Sequence, residues 1–238
     1  MTIRLVVRTF SELCVTAGAL IVLFVVYILF WTGVRADSAM NGELDHLQNT
    51  WATGSLAPAT PTPAPTATST GAPAAPAAPP PYKDGESFAV MYIPRLGADW
   101  HKPVLQGTGT GVLKKGLGHY ANTTRPGGTG NFSVAGHRRT YGDPFKDFPG
   151  LRRGDRVYLF DGASWYTYVL DRDPYRTVPT DVGVIDPVPR ESGYTVAGRY
   201  LTLTTCDPEW GHSHRLIAWA HLEAVSPGER GKPKGLTG

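Results

Sequence analysis

Residues 200–222 read YLTLTTCDPEWGHSHRLIAWAHL, two runs rich in β-branched and aromatic residues on either side of a polar stretch that contains Asp-Pro and Gly. Runs of this kind bounded by turn residues are strand signals, and two of them joined by Asp207–His214 fit an antiparallel hairpin. Pairing would make Cys206, at the end of the first run, a near neighbour of Arg215, at the head of the second. Alternation along the first run places Thr202, Thr204 and Cys206 on one face, where the threonines could line the same groove as the thiol. Ordinary β-propensity accounts for those threonines equally well.

The texture of the hairpin extends in both directions. From Gly85 onward, short β-rich runs alternate with Gly, Pro, Asp and Asn. The strands expected are Phe88–Ile93, Asn131–Ala135, Arg156–Phe160, Trp165–Leu170, Tyr200–Cys206 and Arg215–Leu222, with weaker runs near Val104 and Val178. No stretch of this region carries sustained helical periodicity. Many short strands with turn signals between them imply an all-β domain, closed or nearly closed into a barrel because closure removes exposed edges, with at most short helical turns.

Cys206 is the only cysteine outside the apolar N-terminal segment, so it has no partner there for an internal disulfide. A lone cysteine is most often a small apolar packer. Here two threonines precede it and an Asp-Pro turn follows, which sets the thiol at a rim that a substrate can reach. A thiol of ordinary pKa near 8.5 is only a few per cent ionised at neutral pH, so acyl-transfer chemistry needs an imidazole or a cation beside it. His137, in VAGHR at 134–138, and Arg215 are the residues able to supply these. Arginine also stays charged and offers a fork of donors to a developing oxyanion. His137 stands 69 positions before Cys206, so any meeting must come from the fold; the alternative for an isolated histidine at a strand end is structural hydrogen bonding.

The first third of the chain is not globular in composition. Residues 13–31 are 19 consecutive uncharged, mostly apolar residues, which as a helix reach about 28 Å against a bilayer core of roughly 30 Å. A cleaved signal peptide, with its shorter apolar stretch, is the competing reading. Arg4 and Arg8 precede the stretch and Arg35 follows it, a bias that puts residues 1–12 in the cytoplasm and the remainder outside, in a single-pass arrangement at the cell membrane. Residues 32–51 read as a polar juxtamembrane segment. Residues 52–84 read as an Ala/Pro/Thr-rich linker, with nine prolines between 52 and 81; such a segment is either a stiff polyproline spacer of about 90 Å or a disordered tether. The barrel then occupies 85–226, and 227–238 is expected to be a disordered tail. A net charge of +3 without a long basic run argues against nucleic acid as a partner.

With these residues in place, the chain resembles the sortases, the cysteine transpeptidases of Gram-positive cell envelopes. TLTTC at 202–206 fits the TLxTC signature, with Arg215 downstream and VAGHR upstream. GLGHYANTTRPGGTGN at 116–131 and GDPFKDFPGLRRGDRVYLF at 142–160 are similar to the family pattern as well, so the resemblance covers most of 86–225. It implies an eight-stranded sortase barrel. In it Cys206 attacks the carbonyl of a C-terminal sorting signal after threonine to form a thioester, His137 protonates the leaving glycine amine, and Arg215 holds the substrate and its oxyanion. An amino group of the peptidoglycan precursor lipid II then resolves the thioester. The run GHY ending at Tyr120 and the short loop between Cys206 and Arg215 are similar to class E sortases of high-GC Gram-positive bacteria. That class is associated with an LAxTG signal, and the resemblance implies a substrate-binding role for Tyr120 beside Thr204 and Thr205.

The implied chemistry needs no metal or other cofactor. His212, His214 and Cys206 contain acceptable zinc ligand types, but a thiolate tied to zinc is lost as a nucleophile. Asp143, Asp147 and Asp155 sit in Gly/Pro-rich turns and read as turn residues, with no acidic cluster for calcium. A wall-tethered binding barrel in which Cys206 is merely packed is the alternative from a different class.

Overall fold

The hairpin is present, and the barrel grows from it. In the computed structural model, which describes residues 2–53 and 80–236, Arg199–Asp207 and His214–Pro227 pair antiparallel, with Cys206 opposite Arg215. Numbering strands in chain order, these are β8 and β9. Before them come β1 (Ser87–Tyr92), β2 (His101–Gln106), β3 (Leu117–His119), β4 (Gly130–Ala135), β5 (Arg156–Phe160), β6 (Ser164–Leu170) and β7 (Tyr175–Thr177). The hydrogen-bonded order is β6-β5-β1-β2-β3-β4-β8-β9, and β6 returns to β9, Ser164 opposite Pro227 and Leu170 opposite Ala220, to close an eight-stranded barrel. Strand β7 lies outside this ring, paired with the first residues of β9.

The six strong runs of the sequence are β1, β4, β5, β6, β8 and β9, and the weaker run near Val104 is β2. The weak run near Val178 falls just past β7. Strand β3 has three residues, too few to show a period of two. Alternation fills the barrel: Phe132 and Val134 of β4, Leu201 and Leu203 of β8, and Leu216, Ala218 and Ala220 of β9 share one core with Phe88, Leu117 and Tyr168.

His119 shows what this interior does to a titratable group. It is 2% exposed, with Nδ1 2.7 Å from Gln106 Oε1 and Nε2 3.1 Å from both the Thr124 carbonyl and Thr123 Oγ1. Burial pushes its pKa down to about 4, against the hydrogen bond to the Thr124 carbonyl and with the help of the Arg125 charge.

The N-terminal third departs from the sequence reading. A single helix, α1 (Thr2–Ala52), runs without a break through the apolar stretch and through the segment read as polar and juxtamembrane. Within it, Ile3–Tyr27 is long and apolar enough by composition to cross a membrane and overlaps the expected span 13–31. Beyond it the helix docks on the barrel. Ala36, Met40, Leu44 and Leu47 are buried, spaced four, four and three residues apart as one stripe of a helix. Leu44 and Leu47 pack on Val90 of β1, Glu43 accepts from Ser87 Oγ at 2.9 Å and pairs with Lys115 at 3.1 Å, and the Trp51 ring meets the Phe160 ring edge-on at 5.0 Å.

Both flanks of the barrel carry described structure. Residues 54–79 of the expected linker lie outside the described residues, but Ala52 closes α1 and Tyr82 stacks on Phe88 at 3.9 Å. The tail read as disordered carries two short 3-10 turns, Gly228–Arg230 and Lys234–Leu236, and Gly235 lies against the Tyr158 hydroxyl with no room for a side chain.

Leu47→Asp places a charge in the apolar seam and is expected to undock α1. Hydrogen exchange of amides 36–51 should accelerate while strands β4, β8 and β9 keep their protection. For His119 the unfolded chain takes up a proton near pH 6.5 and the folded chain only near pH 4, so stability is lost as pH falls through that window, by up to about 3 kcal/mol. Urea unfolding at pH 7 and pH 4.5 measures the loss, and His119→Gln should flatten it.

Candidate active site

Strands β4 and β8 run parallel, and every paired residue is offset by the same interval: Asn131 faces Tyr200, Val134 faces Leu203 and Ala135 faces Thr204. Further hydrogen bonds carry the register past the end of β4. The Gly136 amide donates to the Thr204 carbonyl at 3.1 Å, and Thr205 Oγ1 donates to the Gly136 carbonyl at 2.9 Å. Two residues further, the Arg138 guanidinium pairs with the Asp207 carboxylate. Between these two ties stand His137 and Cys206, on the same outward face as Ala135 and Thr204 and on adjacent strands spaced about 4.8 Å apart.

Gly136 is constrained sterically. A Cβ there would lie 2.6 Å from the Phe145 ring and 2.8 Å from Leu117 in the core, so this position admits no side chain without displacing packed groups. The close approach is what lets the chain carry His137 alongside β8.

His137, Cys206, Trp210 and His212 line one open cavity of about 280 Å³, together with Arg138, Arg139, Thr140 and Glu209. Cys206 is partly exposed and not disulfide-bonded. His137 is half-buried; burial lowers its pKa and the nearby Lys114 charge lowers it further. Its ring is 5.2 Å from that of Tyr141. A neutral imidazole is therefore the resting form at neutral pH, able to accept a proton from a thiol and pass it on.

Arg215 is the cross-strand partner of Cys206. Its Nη1 donates to the carbonyls of His212 and His214, each at 2.9 Å, so the guanidinium is tied to the β8–β9 loop rather than lining the thiol cavity. Tyr120 OH lies 3.0 Å from Thr204 Oγ1, which sets both on the outer face leading to Cys206. Thr205 is different: it is buried with Leu201 and Leu203 on the inward face, and its hydroxyl is used by Gly136. Thr202, though on the outward face, is fully buried and donates to Asn131 Oδ1.

The sequence reading missed the charges around the cavity. Asp207 receives Arg138 on one oxygen and Arg176 Nε at 2.6 Å on the other. Burial acts to raise its pKa, but the bonds from Arg176 and Arg138 prevail and hold it below the usual carboxylate range. Arg139 pairs with Asp143 and Glu209 and lies 4.6 Å over the Trp210 ring. Adjacency was the available signal, since Arg138 follows His137 as Asp207 follows Cys206. His214 Nδ1 meets Arg176 and Ser213 at 3.0 Å. Among the described residues no three His, Cys, Asp or Glu side chains converge as a metal site would require.

A partly exposed thiol and an imidazole set side by side on a closed β-barrel define a cysteine-dependent acyl-transfer scaffold. The Sortase domain family model matches residues 91–223, and the chain belongs to the sortase family. It is 35% identical over 236 residues to sortase E1 of Streptomyces coelicolor and 31% identical over 238 residues to sortase E2 of that organism. These alignments take in 96% and 97% of the chain, which spans 60% of the length of the first relative and 88% of the second. Among solved structures, sortase E from Streptomyces avermitilis is 71% identical, covering 65% of this chain and 99% of its own, with a TM-score of 0.62. The structure of sortase E1 from Streptomyces coelicolor with a tripeptide in the active site is 36% identical, covering 64% of this chain and 97% of its own, with a TM-score of 0.60.

Gly136→Ala should cost the barrel about 1–3 kcal/mol by overpacking and move the His137 titration, followed by NMR, away from that of the wild type. An unchanged titration would show that the histidine's environment does not depend on this glycine.

Proposed function

We propose that the chain is a membrane-anchored transpeptidase that cleaves an LAxTG-type sorting signal between Thr and Gly and joins the new carboxyl end to an amine of a peptidoglycan precursor such as lipid II. The placement of His137 beside Cys206 in one open cavity, in a chain of the sortase family, is the observation that supports it. The candidate membrane helix Ile3–Tyr27 supports anchoring, with the N-terminus in the cytoplasm and the barrel outside.

In this reading the neutral His137 imidazole takes the Cys206 proton as sulfur attacks the threonine carbonyl. The C–N bond to glycine breaks, His137 returns the proton to the leaving amine, and a thioester remains. An incoming amine attacks the thioester, His137 takes its proton, and the proton returns to sulfur as the C–S bond breaks. Arg215, next to Cys206 across the ladder, holds the substrate and balances the charge on the carbonyl oxygen. Its ties to the loop carbonyls fix that loop with it. Tyr120 and Thr204 contact the signal upstream of the scissile bond, whereas the inward Thr205 serves by positioning Gly136.

Incubating the full chain with an LAxTG peptide and a primary amine tests the proposal. The expected product is the peptide joined to the amine, with release of the glycine fragment. Cys206→Ala should abolish turnover without unfolding the barrel, and His137→Gln should lower the rate by about 10²–10⁴-fold. Hydrolysis that ignores added amine would make the chain a plain cysteine protease, and an unreactive thiol would overturn the enzyme reading.

A further inference from the structure

The way α1 lies on the barrel fixes which end of the barrel faces the bilayer. Followed from its C-terminus, the helix meets Phe160 through Trp51, then Val90 through Leu47 and Leu44, then Ser87 and Lys115 through Glu43. Further toward the N-terminus, Met40 and Asp37 crowd Gly142 at the catalytic end. Gly33 and Asp37 line a cavity of about 300 Å³ together with Tyr141, Gly142 and Trp210. Trp210 also lines the cavity that holds Cys206 and His137.

The apolar sequence from 13 to 31 ends two residues before Gly33. At 1.5 Å per residue, Gly33 is about 3 Å and Asp37 about 9 Å beyond its end. The polar headgroup layer on each side of a bilayer is roughly 5–8 Å deep. With the helix along the bilayer normal, Trp210, grouped with these two residues, stands within or at the outer edge of the headgroup layer. It is 69% exposed, and of the large exposed apolar residues described on the barrel it is the only aromatic one. Its neighbours are of the interfacial kind: Arg139 lies over its ring, and Lys114 is 5.2 Å from the Tyr141 ring centroid. Indole rings flanked by cations favour the membrane–water interface, where the ring is dehydrated and its N–H stays bonded.

We infer that Trp210, on the loop between β8 and β9, inserts into the lipid headgroup layer of the bilayer that α1 crosses, so that the catalytic cavity opens at the membrane surface. The inference rests on the anchored reading given above. It places the thiol where both reactants, a sorting signal and a lipid-linked amine, would be presented close to the bilayer.

The test uses the full chain in phosphatidylcholine nanodiscs, with and without lipids brominated near the glycerol end of their acyl chains. Trp210→Phe, at a surface position, removes one emitter, and the difference between wild-type and variant spectra isolates Trp210. The expected result is a blue-shifted difference spectrum that loses intensity in brominated discs. The emission left in the variant includes Trp31, inside the apolar stretch, and reports on the anchor. Quenching of that residual emission with a water-like, unquenched Trp210 would overturn the inference alone. Absence of quenching in both would overturn the anchored reading and the inference with it.

Discussion

The parallel register between β4 and β8 is the constraint on which the site depends. Each residue of β4 pairs with the residue 69 places later, from Gly130 with Arg199 to Ala135 with Thr204. The same interval continues through the bond between Gly136 and Thr205 and the ion pair between Arg138 and Asp207. A slip of one residue would turn His137 to the opposite face from Cys206. The pair is thus held by polar ties on either side of it and by the absence of a side chain at Gly136.

Charge closes the arrangement. Asp207 is shared by Arg138, which follows the histidine, and Arg176, which comes from β7. One carboxylate of β8 therefore joins β7 and the segment after β4 at the rim of the cavity, and its lowered pKa keeps it ionised over the range in which His137 titrates. The barrel beneath provides stiffness: β9 pairs with β8 on one side and with β7 and then β6 on the other, leaving the cysteine strand no free edge.

Most of the barrel was legible because β5, β6, β8 and β9 carry strong β-formers between clear turns. The pairing of Cys206 with Arg215 was legible because it is local, set by one hairpin. The meeting of His137 with Cys206 was not legible from spacing, since nothing in the 68 intervening residues states which strands become neighbours. Thr205 shows the limit of reading a motif by proximity: one residue from the thiol means the opposite face of a strand. The docked half of α1 was visible in principle, because Ala36, Met40, Leu44 and Leu47 form a helical stripe. It was obscured by the polar residues between them, Asp37, Asn41, Glu43 and Asp45, which face away from the seam or bond across it.

The seam between α1 and the barrel has a consequence for how such a molecule finds its reactants. A domain on a slack leash explores a hemisphere and meets the bilayer at any angle. One clamped along twelve residues of its own helix, from Ala36 to Leu47, has no such latitude. With α1 crossing a bilayer as proposed, its remaining motions would be lateral diffusion and spin about the helix axis, and encounter would become a two-dimensional search at constant height, with only azimuth left to chance.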